Sequence, residues 1–306
     1  MELSSKFGSE YVLLTAAYNE EEFIGKTIES VISQTVRPKS WIIVSDGSTD
    51  RTDSIVQGYS DKHSFIKLYR ITEQHARNFA AQVNAINKGY DLVRDLDFEF
   101  IGNVDADVSF EATYYERLLG KFVKNQNLGI AGGYIHEEKN GIFRSRTGNS
   151  ERSVAHAVQL FRRACFLSVG GYVALPYGGP DWLAEIMARK QGWEVESFPE
   201  LPVRHYRPTC SAGGVLKGRF RQGLMDYSLG CDPSFEFFKC LSRLHGRPYI
   251  AGAVARFSGF VWAWCKRHER AVPQDIVNFL REEQKGRVRS LLHLNPTPRR
   301  STPSSL

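Results

Sequence analysis

Four short apolar runs, three of them breaking off into small polar and acidic residues, constrain the fold of this chain most. Tyr11–Ala17 runs into Tyr18, Asn19 and Glu20, and Trp41–Ser45 into Asp46, Gly47, Ser48, Thr49 and Asp50. Ile66–Ile71 follows, and Phe98–Val104 ends at Asp105, Ala106 and Asp107. Near-continuous apolar runs of this length read as strands buried on both faces. Helical stripes lie between them: Phe23, Ile24, Thr27, Ile28, Val31 and Ile32 in one, and Phe79, Val83, Ile86 and Tyr90 in another. Strand and helix alternating in this way predict an α/β fold, a mostly parallel sheet flanked by helices. Ligands of such sheets bind beyond the carboxyl ends of the strands. The polar loops at 15–20, 46–50 and 105–107 fall at that edge. Asn, Asp and Ser also start helices as caps, and Asn19 with Glu22 reads as a capping box. Three such loops on one sheet edge point to a shared polar pocket.

Beyond a helix at Ala112–Asn125 the pattern loses its regularity. Gly129–His136 reads as a strand and Lys139–Asn149 as a polar loop. The pairs Gly170-Gly171 and Gly178-Gly179 bracket a loop before a helix that begins near Asp181. Trp193–Phe198 returns as a strand, and the last hundred residues read as helical, from Leu216–Leu229 to Ile276–Leu292. The expected organisation is a catalytic domain over 1–207, a helical basic region over 208–292 and a disordered tail over 293–306.

Charge divides along the same boundary. The net charge of +6 conceals 23 basic and 27 acidic residues up to Arg204, and 17 basic against 7 acidic from His205 onward. No nucleic-acid-binding module accompanies the basic half, so nucleic acid is not expected as a partner. Basic residues do flank an aromatic-rich stretch, Tyr249–Cys265, followed by Lys266, Arg267 and Arg270, which fits an anionic membrane surface. The alternative is a solvated basic face over a core helix. That stretch is too short and too polar to span a bilayer. Five cysteines without a Cys-x-x-Cys pair argue against a zinc module or a disulfide framework. With no secretory signal at the N-terminus, the expected location is cytoplasmic, with a peripheral place on the inner face of the membrane. No Gly-x-Gly-x-x-Gly follows the first strand, which argues against a dinucleotide-dependent dehydrogenase.

Asp105 and Asp107, one residue apart at a strand end, can share a divalent cation and a diphosphate. Mg²⁺ and Mn²⁺ take oxygen ligands, and Mg²⁺ sites commonly combine one or two carboxylates with substrate phosphates. The segments VLLTAAYNEEEFIGKTIESVISQT, IIVSDGSTDRT, HARNFAAQVNAINKG, FIGNVDADVSF and GGPDWLAEIMARKQGWEV together resemble family 2 glycosyltransferases with the GT-A fold, bacterial single-addition members in particular. The resemblance covers about residues 11–207. It implies that the loop containing Ala17, Tyr18 and Glu20 wraps the nucleotide of a nucleotide sugar and that Asp46 accepts a hydrogen bond from the base, typically uracil. An acceptor-only carboxylate reads an imide N–H at that position. Arg77 matches a basic residue near the diphosphate. Asp105, with Ala106 beside it, would bind ribose or assist the metal, Mn²⁺ or Mg²⁺. Asp107 would be the direct ligand and His205 would complete the metal site.

Asp181 occupies the place of the family's general base, although Pro180 stands where a glutamate is usual. The implied reaction is inverting transfer of a single sugar, from a UDP-sugar by preference, to a glycan or polyprenyl-linked acceptor. The acceptor attacks in line and Asp181 takes its proton, with no covalent glycosyl-enzyme. The Gln-x-x-Arg-Trp motif of processive synthases is not found in the chain. Two alternatives stay open at this point: a nucleotidyltransferase of sugar-nucleotide synthesis, and a catalytically degenerate carbohydrate-binding protein.

Overall fold

The computed structural model describes residues 10–72, 79–139, 141–146, 148–207, 214–244 and 249–291. The chain divides into two compact units, Met1–Ser211 and Ala212–Leu306. In the first, β1 (Tyr11–Ala17), β2 (Ser40–Asp46), β3 (Ile66–Ile71) and β4 (Phe100–Asn103) alternate with α1 (Ile24–Ile32), α2 (Thr52–Ser60) and α3 (Phe79–Asp91). Then come β5 (Val108–Phe110), α4 (Tyr114–Lys124), β6 (Leu128–Lys139), β7 (Ile142–Ser145) and β8 (Leu160–Arg162). The unit ends with α5 (Arg163–Val169), α6 (Pro180–Lys190) and β9 (Glu194–His205). All nine strands form one sheet in the order β3-β2-β1-β4-β8-β6-β9-β5, with β7 paired to β6.

The parallel half follows from the apolar runs. β1 lies between β2 and β4, parallel to both, and Tyr11 to Thr15 are all buried. Alternate residues feed two cores. Leu13, Trp41 and Ile43 pack with Ile24, Ile28 and Val31 of α1, while Val12, Leu14, Ile42 and Val44 pack with Val83 and Ile86 of α3. Each such side chain removed from water contributes about 1.5–3 kcal/mol, which is why both positions of the repeat are apolar. The Trp41 indole N–H donates to Thr15 Oγ1 at 2.9 Å, and the Thr15 hydroxyl donates to the Val104 carbonyl at 2.6 Å. The Trp41 indole and the Thr15 hydroxyl, buried at the centre, are thus satisfied.

The other half is mixed. β8 runs antiparallel to β4 and β6, β5 runs antiparallel to β9, and β6 and β9 are parallel. Two local expectations are corrected here. The 139–149 loop contains β7, which folds back on β6 through Gly141 at φ +76°. Asn19 does not cap α1, whose N-cap is Phe23. Asn19 instead sits at φ +52°, and its Oδ1 accepts from the Thr49 N–H at 2.8 Å. The Asn19 N–H donates to Ser48 Oγ, Glu20 N–H to Thr52 Oγ1 and Glu21 N–H to Asp50 Oδ2. The loops after β1 and β2 therefore bind each other, and satisfying the neighbouring loop takes precedence over capping the local helix.

The second unit is helical: α7 (Val215–Ser228), α8 (Pro233–Leu241), α9 (Tyr249–Cys265) and α10 (Gln274–Leu291). α7 and α9 pack backbone to backbone at two glycines. A Cβ on Gly223 would lie 1.9 Å from the Arg256 carbonyl oxygen, and one on Gly259 2.0 Å from that of Phe220. Arg256 is buried and pairs with Asp226 and Glu236, while Lys239 approaches Asp226 at 3.0 Å. No helix among the described residues is long and apolar enough to cross a membrane.

Candidate active site

Strand pairing assembles the site. In the antiparallel ladder Val108 faces His205, so the residue before β5, Asp107, lies against the imidazole that ends β9. His205 Nε2 is 3.3 Å from Asp107 Oδ1, and the Tyr206 N–H donates to the Asp107 carbonyl at 3.0 Å. Burial alone would lower the His205 pKa, but the hydrogen bond and charge of Asp107 raise it above its ordinary value. The preceding turn is held from α1, where the Thr27 hydroxyl lies 2.8 Å from the Ala106 carbonyl and 2.7 Å from that of Val108. Glu20 faces the same turn and is gripped by both arms of Arg207, at 2.8 and 2.5 Å. Burial pushes the Glu20 carboxyl up to about 7, with Asp107 and Asp105 adding to the shift and Arg207 opposing it.

Asp105 turns the other way, toward a residue that the sequence reading missed. The Asp105 N–H donates to the Ala157 carbonyl at 3.0 Å, extending the β4–β8 pairing beyond its strands. That brings His156 Nδ1 to 3.3 Å from Asp105 Oδ1, and the Asn103 amide bridges the His156 carbonyl at 2.7 Å and Asp105 at 3.2 Å. Burial opposes ionisation of Asp105, but His156, His205 and Asn103 together hold its carboxyl below the ordinary range. His156 is raised by Asp105 and, further off, by Asp181. Its Nε2 is buried without a hydrogen-bond partner.

Asp181 lies in the first turn of α6. Gly178 and Gly179 enter at φ +87° and +89°, conformations that glycine adopts without strain. Pro180 then starts the helix, where its fixed φ is favourable and its missing N–H costs nothing. The N-cap is Gly179, so the Asp181 carboxylate is not used as the cap. One turn on, the buried Glu185 accepts from the Val154 N–H at 2.6 Å, Ser153 Oγ at 3.2 Å and Gln159 Nε2 at 3.4 Å. The Tyr172 hydroxyl donates to Gln159 Oε1 at 2.6 Å. Burial pushes Glu185 up to about 8, because Arg189, 3.7 Å away, offsets only part of the cost.

Ala17 closes β1 with Tyr18 just beyond it, and Asp46 closes the neighbouring β2, where Ala17 pairs with Ser45. Asp46 is half-buried at the lip of this edge. Arg77 lies outside the described residues. Of the residues missed, Arg207 had a signal: it lies two residues beyond His205, just past the end of β9. Thr27 and His156 had none, since each acts through a contact about 50 or more residues away.

Asp107 and His205 offer a hard oxygen and a neutral-capable imidazole side by side, a donor pair that suits Mn²⁺ or Mg²⁺ with substrate oxygens completing the shell. His205 Nδ1 is buried without a hydrogen-bond partner. Asp105, turned to His156, does not join them as a compact trio. Among the described residues only Asp226, Cys231 and Glu236 bring three such ligand atoms within 4.8 Å. There, Arg256 and Lys239 already neutralise the carboxylates, and burial pushes the Cys231 thiol well up. That cluster is an ion-pair network.

The curled, mixed nine-stranded sheet flanked by helices has the GT-A fold of glycosyltransferases. The chain belongs to glycosyl transferase family 2, whose model matches residues 13–171. It is 31% identical over 234 residues to a poly-beta-1,6-N-acetyl-D-glucosamine synthase of Staphylococcus epidermidis, covering 68% of this chain and 52% of that protein. Glycosyltransferase GlyA of Streptococcus pneumoniae is 29% identical over 132 residues, 43% of this chain and 18% of its own length. The chain thus spans about half the length of the first of these relatives, and less of the second. Among solved structures, S. aureus TarS 1-349 in complex with UDP-GlcNAc superposes with a TM-score of 0.53 at 14% identity, over 93% of this chain and 86% of that one. Mannosyltransferase PcManGT from Pyrobaculum calidifontis, in complex with GDP-Man and Mn²⁺, gives 0.52 at 15% identity, over 94% and 81%.

Proposed function

We propose that this protein transfers a single sugar from a nucleotide sugar, UDP-linked by preference, to a glycan or polyprenyl-linked acceptor, with inversion at the anomeric carbon. The observation that carries the reading is the Asp107–His205 pair at 3.3 Å, set at the strand edge by the β5–β9 register. Ala17, Tyr18, Glu20 and Asp46 would cradle the nucleoside, Asp105 and Ala106 the ribose, and Arg77 the diphosphate. Asp107 and His205 would hold Mn²⁺ or Mg²⁺, which when bound neutralises charge on the departing diphosphate. Asp181 takes the proton from the acceptor hydroxyl, and its place in the first turn of α6 keeps its carboxylate free of capping. The name of the staphylococcal relatives and the ligand of the TarS complex make UDP-N-acetylglucosamine the first donor to try. A polyprenyl-linked acceptor would place the enzyme at the cytoplasmic face of a membrane, in polysaccharide synthesis.

Thermal unfolding against a panel of nucleoside diphosphates, with and without Mn²⁺, tests the reading. A rise in Tm with UDP that requires Mn²⁺ is expected, and the absence of any shift across the panel would overturn it.

A further inference from the structure

Helix α9 is built inside out. Its one charged side chain, Arg256, points inward and is buried against Asp226 and Glu236. Its outer face carries Ile250, Val254, Trp262 and Trp264, between 52% and 64% exposed, with Phe257 and Val261 half-buried among them. The spacing of 250, 254, 257, 261 and 264 follows one side of a helix, and Trp262 is exposed off that line, so the apolar arc is broad. α8 continues the surface. Phe237 and Phe238 are exposed and in ring contact at 5.8 Å, Phe237 meets Phe257 at 5.9 Å, and Leu241 is exposed one turn on. Nine of the fifteen exposed large apolar side chains among the described residues belong to the smaller, helical unit.

Continuous apolar surface of this kind in water marks a surface that something covers. The charges at its edge indicate what. Neither α8 nor α9 exposes an acidic side chain, since Glu236, their only acid, is buried. Lys266 and Arg267 are exposed where α9 ends, with one exposed acid, Glu269, between them and Arg270, and Lys266 Nζ lies 5.3 Å over the Trp262 ring. From His205 onward the chain carries 17 basic against 7 acidic residues. A second copy of the same face would bring these cations together with no acid on α8 or α9 to pair them. An anionic lipid surface meets every element at once. The aliphatic residues enter the acyl boundary, the indoles lie at headgroup depth and the cations sit among lipid phosphates.

We propose that the outer face of α8 and α9 docks this protein on an anionic bilayer, lying in the interface without crossing it. This stands apart from the transferase reading, because none of these residues belongs to the strand-edge site. The test uses the full chain with vesicles of phosphatidylcholine, alone or mixed with phosphatidylglycerol. Sedimentation with the anionic vesicles, relieved by salt and accompanied by a blue shift of tryptophan emission, is the expected result. The double variant Trp262→Ser/Trp264→Ser should bind those vesicles about tenfold more weakly or worse, and Lys266→Glu/Arg267→Glu comparably. Both should keep the parent's circular dichroism and its thermal response to nucleoside diphosphates, which separates failure of docking from failure of the active-site reading. Binding to neither vesicle would overturn the proposal, as would a vesicle-inert dimer dispersed by the tryptophan substitutions. Equal, salt-insensitive binding to both vesicles would overturn the anionic assignment.

Discussion

Thr27 and His156 act on the same turn from different elements, one holding the carbonyls of Ala106 and Val108 and the other taking the carboxylate of Asp105. Replacing the Thr27 hydroxyl by a methyl in Thr27→Val keeps the shape and leaves those carbonyls without the donor, at a cost of about 1–3 kcal/mol. The donor KM is expected to rise more than kcat falls in steady-state assays. Asp181→Asn preserves the helix start and removes the proposed base, so turnover should drop by about 10²–10⁴ while nucleotide binding persists. Retained turnover would move the base elsewhere. Glu185 yields a pH signature. Its folded value of about 8 lies above the usual 4.5, so the native state keeps a proton that the unfolded chain gives up over that interval. Stability from this group is complete below the unfolded value and falls as pH rises toward 8. Glu185→Gln should flatten that slope, by a few kcal/mol at most, in urea denaturation measured at both ends of the interval. The placement of Asp46, Asp105, Asp107 and Asp181 at strand ends and at a glycine turn was legible in the sequence. His156 was not, since its partner is 51 residues away and meets it only once β8 pairs with β4.

Elements differ in the same way. β1, β2 and β4 are buried on both faces and announce themselves as apolar runs, whereas β8 has three residues and β7 is largely exposed. Short antiparallel strands carry little local pattern, and their existence depends on partners distant in sequence. The helical unit offers a sharper test of packing. Gly223→Ala drives a methyl into the Arg256 carbonyl, where no flexible side chain can yield. The α7–α9 pair should separate, lowering the denaturation midpoint. Arg256→Met leaves Asp226 and Glu236 with Lys239 alone and is expected to cost about 3–5 kcal/mol, because a buried charge left without its partner is expensive. Chemical denaturation followed by circular dichroism would measure both. A loss under 1 kcal/mol would mean the network is already relaxed by water.

At the scale of the molecule, the charge that divides the chain near residue 205 separates two environments. The acidic part contains the carboxylates at the strand edge, and the basic part contains the face without acids. On the proposed reading, mass spectrometry of a turnover mixture should find one added sugar per acceptor, and a ladder of products would make the enzyme processive. The segment from Ser153 to Gln159 meets Asp105 through His156, and α6 through Glu185. One stretch of backbone thus touches both the turn at Asp105 and the helix that carries Asp181. On the proposed reading, the nucleotide sugar is expected to bind before the acceptor. Product inhibition by the nucleoside diphosphate should then be competitive against the donor and non-competitive against the acceptor.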